Sequence, residues 1–115
     1  MYINNVKNIS GVTITGPGVA NVSKQVLVSP SNGWDGWVMR HFTLGRDGHS
    51  PRHSHPWPHI VYVTAGVGKL FLDGGDHPLE QGSVAFVPGN SDHQFLNSGE
   101  KDFSFICIVP EEGDK

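Results

Sequence analysis

Several things are scarce or missing in this chain. There is one cysteine, Cys107, in 115 residues. That excludes an internal disulfide framework and favours a reducing, cytoplasmic setting. The opening stretch MYINNVKNIS has neither the charged start nor the apolar run of a signal peptide. The longest apolar runs, such as FICIV at 105–109, are far too short to cross a bilayer. The net charge is −3 and the pI about 6.1, with no basic stripe or cluster, so neither nucleic acid nor a membrane surface is expected as a partner. No window carries convincing helical periodicity. Finally, the densest cluster of histidines, in RHSHPWPHIVYVTAG at 52–66, contains no acid.

What is present is punctuation and short β-rich runs. The glycines and prolines gather in GPG (16–18), SPSNG (29–33), GRDGHSP (45–51), DGGDHP (73–78) and PGNSD (88–92), which read as turns. Between them lie QVLVS (25–29), GWVMRHFTL (36–44), HIVYVTA (59–65), GKLFLD (68–73), GSVAFVP (82–88), DHQFLN (92–97) and DFSFICIVP (102–110), with GVTIT near residue 13 a weaker candidate. Short strands at regular spacing, joined by glycine-rich turns, predict an all-β sandwich or barrel. The length suits one domain, residues 1–115, with a core over about 24–110 and a short loose tail, EEGDK.

In a strand, residues i and i+2 face the same way, so His53 and His55 converge on one side. Pro56 and Pro58 cannot sit in a regular ladder. The bend they impose can bring His59 back beside the first two. His93 lies in a later strand and can close the group from across. Four imidazoles around one point are a metal-binding arrangement, with metal–nitrogen bonds of about 2.0–2.1 Å for a zinc-like ion.

The sequence resembles small single-domain members of the cupin superfamily. One family motif is a glycine, then H-x-H, three or four residues, Glu, six residues and Gly; here His53, His55 and Gly66 fall in register. His59 stands at the position of the Glu, and the leading glycine, Gly48, is shifted by one. The other motif, G-x5-P-x-G-x2-H-x3-N, is met by Gly82, Pro88, His93 and Asn97, with its inner glycine displaced to Gly89. The match spans residues 48–97, and the exchange of Glu for His is that of a four-histidine subgroup. The resemblance implies a cupin jelly-roll barrel and one divalent transition metal inside it, held by His53, His55, His59 and His93. Imidazole ligands accept Mn, Fe, Co, Ni, Cu or Zn, with Mn or Fe favoured.

Without a carboxylate ligand the ion keeps its full +2 charge and favours an anionic oxygen. A site with four protein ligands would keep positions free for water, O2 or a chelating substrate. Strand parity then suggests the pocket wall. Val61 and Val63 follow His59 inward, and Phe95 follows His93, with Asn97 at the rim. Val38, Phe42 and Leu44 share a face with Arg40, a candidate anchor for an anionic substrate. Phe105 and Cys107 share another, which makes Cys107 a candidate soft group beside the metal. Trp57 stands between the ligands as an entrance wall, and the Trp37–Met39–His41 face is the expected homodimer contact. The leading functional expectation is a dioxygenase-type oxidoreductase acting on a small, anionic or enolisable organic molecule, with O2 as co-substrate. The alternatives are a non-redox metal-dependent isomerase or lyase, and a small-molecule-binding module without catalysis.

Overall fold

The computed structural model describes residues 1–114; Lys115 lies outside them. Nine strands follow in order: β1 (Val12–Ile14), β2 (Ala20–Val28), β3 (Trp37–His49), β4 (His59–Ala65), β5 (Val67–Leu72), β6 (Gly75–Glu80), β7 (Val84–Val87), β8 (His93–Asn97) and β9 (Phe103–Pro110). Three short 3₁₀ turns are the only helical pieces among the described residues. The strands pair antiparallel in the order β6-β5-β8-β3-β9-β4-β7, and β2 joins β3 to β1. The sheet curls into a jelly-roll barrel, as the sequence predicts.

Alternation drives the curl. In β4, His59, Val61 and Val63 are buried while Ile60 and Tyr62 are exposed. In β9, Phe103, Phe105, Cys107 and Val109 point inward. These faces meet Val22, Val38, Leu44, Leu70, Val87 and Phe95 in one core. Burying a side chain of this size contributes about 1.5–3 kcal/mol relative to exposure, so the barrel closes around its inward rows.

Two expected turns are strands. The GRDGH segment continues β3 to His49. Register explains it: Leu44 pairs with Val22 and His49 with Ala20, so five steps along β3 face two along β2. The extra residues form a bulge at which Asn21 and Asp47 take positive φ, 51° and 61°. The glycines are therefore features of a bend rather than a stop. The DGGDHP segment runs into β6, which pairs with β5 along its whole length. As an edge strand it tolerates Pro78, and only Leu79 is buried, so it carries little periodic signal. Upstream, β1 and the first turns of β2 extend the barrel below residue 24.

Asn97 is not a rim residue. It is buried, and its Nδ2 donates to the carbonyls of Leu44, Gly45 and Lys101 at 2.9, 3.0 and 2.9 Å. Its Oδ1 accepts from the Gly99 amide at 2.8 Å. It pins the end of β8 to the bend of β3.

Candidate metal centre

Backbone pairing delivers the histidines. Beyond the β3 bulge the chain lies along β8: Ser50 N–H donates to Phe95 O, and His53 and His93 exchange both of their backbone hydrogen bonds, at 3.1 and 2.9 Å. His53 and His93 are thus direct cross-strand neighbours, and His55 shares the His53 side. The Pro56–Pro58 bend is held against the turn before β8. Asn90 N–H donates to His55 O at 2.7 Å. Gly89 lies so close to the Pro56 carbonyl that any side chain there would collide with it, which is why the PGN turn needs glycine at this point. The bend then releases His59 into β4, paired with Val87.

The rings converge. His55 and His93 each contact the other three, at centroid distances of 4.7–5.0 Å. One nitrogen each from His53, His55 and His93 lies within 4.8 Å of the others, a grouping that could hold a metal ion. His59 Nε2 lies 2.9 Å from His55 Nε2. Two metal bonds of about 2.0–2.1 Å at a right angle place their nitrogens about 2.9 Å apart, so this spacing suits two ligands of one ion.

The tautomers agree with that use. His55 Nδ1 donates to Trp57 O and His93 Nδ1 to Ser91 O, both at 2.8 Å. With the proton on Nδ1, each Nε2 turns a lone pair inward. Loss of solvation, then the nearby His93 charge, lowers the pKa of His53 and His55. Burial and next the Arg40 charge push His59 down to about 2. These three rings are neutral at pH 7, the form that binds metal. On a neutral His59 with Nε2 turned inward, Nδ1 carries the proton and donates to Cys107 Sγ at 3.1 Å.

The group opens into a cavity of about 390 Å³. Its apolar wall is built from Val22, Phe42, Leu44, Phe95 and Phe105, with the Phe95 and Phe105 rings stacked at 4.6 Å. Trp57 lines it too, stacked on His55 at 4.5 Å. Arg40 and Cys107 line it beside His59. Val38 and Val61, expected in the wall, are buried in the core and do not line the cavity. Parity decides which face a residue takes, not whether larger neighbours cover it. His41 is on the outer face, bound to Gln25 and Thr64, and His77 is exposed. His49 is half-buried beside Gln94.

Lys24 was missed: it lines the cavity and pairs with Asp114 at 3.0 Å. Its signal was its shared parity with Val22, hidden because the expected strand began at 25. Asp114 was assigned to a loose tail. Instead Glu111–Gly113 form a 3₁₀ turn, with Gly113 against Trp57 and Asp114 between Lys24 and Arg40.

A jelly-roll barrel with histidines from two neighbouring segments turned into its cavity, where they could hold a metal ion, is an architecture of the cupin kind. Residues 40–109 match the cupin domain family (Cupin_2), and the chain belongs to it. It is similar to 1-methylthio-D-xylulose 5-phosphate methylsulfurylase of Rhodospirillum rubrum, 33% identical over 95 residues, covering 83% of this chain and 60% of that protein. The chain thus spans less than two thirds of that relative's length. Among solved structures, the polyketide cyclase RemF from Streptomyces resistomycificus has the same fold, with a TM-score of 0.90 at 24% identity over 96% of this chain and 80% of that one. A cupin-2 domain from Rhodospirillum rubrum superposes with a TM-score of 0.86 at 26% identity, covering 99% and 77%. No helix among the described residues is long and apolar enough to cross a membrane.

Proposed function

We propose that the chain is a single-barrel metal-dependent enzyme whose one divalent transition metal is held by His53, His55, His59 and His93, and that it acts on a small, anionic, enolisable molecule. The observation that carries this is the convergence of neutral imidazoles, without a carboxylate, on a cavity that also presents Arg40. When bound, the ion supplies a +2 Lewis acid that polarises a substrate oxygen. The histidines hold it with no counter-charge. Arg40 attracts an acidic group, and Cys107 fixes the His59 ring. Trp57 and the phenylalanine stack limit water, which strengthens every charge interaction inside.

Isomerase or lyase chemistry without O2 is the reading we favour over the dioxygenase reading of the sequence. The similar proteins are named for cyclisation and for a methylsulfurylase reaction on a sugar phosphate derivative, and both readings use the same site. Zinc serves the favoured one, while Mn or Fe would serve either. Turnover of small β-dicarbonyl and ketose phosphate compounds by metal-loaded protein, with and without O2, tests it. Turnover that persists anaerobically is the expected result; strict dependence on O2, with O2 consumed, returns the assignment to a dioxygenase.

We also propose a cytoplasmic homodimer. The outward row Met39–Ile108–Ile60–Phe86 crosses four paired strands, with Ile60 and Phe86 exposed at 53% and 61%. This is an apolar face adjoining the expected Trp37–His41 contact. Phe86→Asp should convert a dimer to a monomer in sedimentation runs, and unchanged mass would place the contact elsewhere.

A further inference from the structure

Arg40 is buried, at 6% exposure, yet among the described residues its guanidinium finds no oxygen acceptor at hydrogen-bond distance. Nε has no partner among them. One terminal nitrogen reaches Cys107 Sγ at 3.2 Å and His59 Nδ1 at 3.5 Å. The other lies 3.7 Å from Asp114 Oδ1, too far for a hydrogen bond. The plane rests on Phe42, 4.9 Å from its centroid. A buried cation left this incompletely paired is costly, and a guanidinium is shaped to grip a planar or tetrahedral oxyanion with two donors.

Lys24 sits beside it. Its Nζ bonds the same Asp114 Oδ1 at 3.0 Å, so one carboxylate oxygen serves two cations. Among the described residues no acidic one lines the cavity, whose lining includes Lys24, Arg40 and the four histidines. The one acid between the two cations comes from outside the strands. Asp114 follows the Glu111–Gly113 turn, whose Gly113 backbone is pressed against the Trp57 ring closely enough to exclude any side chain. A single short turn thus sets a carboxylate against the two cations, beside the cavity that they line.

We propose that Arg40 and Lys24 form an anion subsite that takes the acidic group of the substrate, a carboxylate or phosphate, and that Asp114 is its resident placeholder, displaced when substrate enters. The proposal rests on the reading of this cavity as the substrate site and adds to it the place and chemistry of the substrate's acidic group. An oxyanion here meets two cations with several oxygens, where Asp114 offers one shared oxygen. As Asp114 leaves, its turn lifts from Trp57, and the same motion opens the wall that stacks on His55.

The test is calorimetric titration of inorganic phosphate and of acetate into full-length, metal-loaded wild-type, Asp114→Asn and Lys24→Gln proteins. Azide is titrated in parallel to report on the ion, and circular dichroism checks the fold. Removing the placeholder's charge should tighten phosphate or acetate binding about tenfold or more, and removing Lys24 should weaken it by a similar factor, with azide unchanged in both. The double variant should lose the gain. Unchanged oxyanion affinity in Asp114→Asn overturns the placeholder, and no binding of either anion in any folded variant overturns the subsite. Oxyanion responses without azide binding would overturn the metal reading alone, so the two failures are distinguishable.

Discussion

The histidine end and the cationic end of the cavity are built in different ways. The histidine end takes three of its four rings from seven consecutive residues, His53 to His59, and the fourth from the strand directly paired with them. Short backbone bonds set its geometry before any side chain is placed. The cationic end joins Lys24 on β2, Arg40 on the directly paired β3 and Asp114 after β9, which pairs with β3 on its other side, so three neighbouring strands assemble it. The first is a set of rings that could hold a metal ion. The second closes through a carboxylate that follows a short 3₁₀ turn. The contrast teaches that one cavity can build one end from a short segment and its paired neighbour, and the other from side chains far apart in the sequence.

Removal of a histidine separates the two ends most sharply. His93→Ala should weaken metal binding by more than about a hundredfold, beyond the loss typical of a residue that only supports a ligand. Phosphate binding at Lys24 and Arg40 should fall far less, because their own bonds run to Asp114, Cys107 and His59 rather than to His93. Competition with a chelator and calorimetry read the two numbers, and a parallel collapse of phosphate binding would show that the ends are one unit.

Asn97 ties the β3 bend to β8, on which the histidine end depends. Asn97→Ala leaves buried carbonyls and the Gly99 amide short of partners, and should cost about 3 kcal/mol of folding stability. Urea denaturation checks this; a loss below about 1 kcal/mol would mean that the bend holds without it.

Replacing His59 with glutamate keeps the ligand position and lowers the site charge from +2 to +1. Unit charges 4 Å apart interact by about 4 kcal/mol at an effective dielectric near 20. Water entry and rearrangement consume part of this, so azide affinity of the metal-loaded protein should fall about tenfold. Equal affinity would show that the missing acid does not set the charge of the site.

The smallest effect is a pH slope. His53, His55 and His59 titrate below the ordinary imidazole value of 6.5 in the folded chain. Below that value the unfolded chain binds more protons, so stability falls as pH drops from about 6.5 toward the folded values. The urea midpoint should therefore decline between pH 7 and 5, and ions should be released over the same range. A flat midpoint would mean that these rings are not held neutral by the fold.

Much of the histidine end was legible in the sequence because its determinants are local: an i, i+2 pair, a proline bend, and one later strand whose alternation His93, Phe95, Asn97 is unambiguous. The barrel was legible for the same reason. The cationic end was not. Arg40 could be read by parity with Val38 and Phe42, but its link to Lys24 depends on the β2–β3 register and its link to Asp114 on the course of the chain after β9. The glycines of GRDG hid a bulge behind a turn signal, since both need the same backbone freedom. Asn97 showed its position in a motif but not its hydrogen bonds, which depend on where the β3 bend lies.

The central claim is that four imidazoles meet at one ion. X-ray absorption at the metal edge of zinc- or cobalt-loaded protein counts them directly, through the multiple-scattering signature of each ring. The account predicts four imidazoles in the wild type and three in His59→Ala. Three in both proteins would remove His59 from the centre and contradict it.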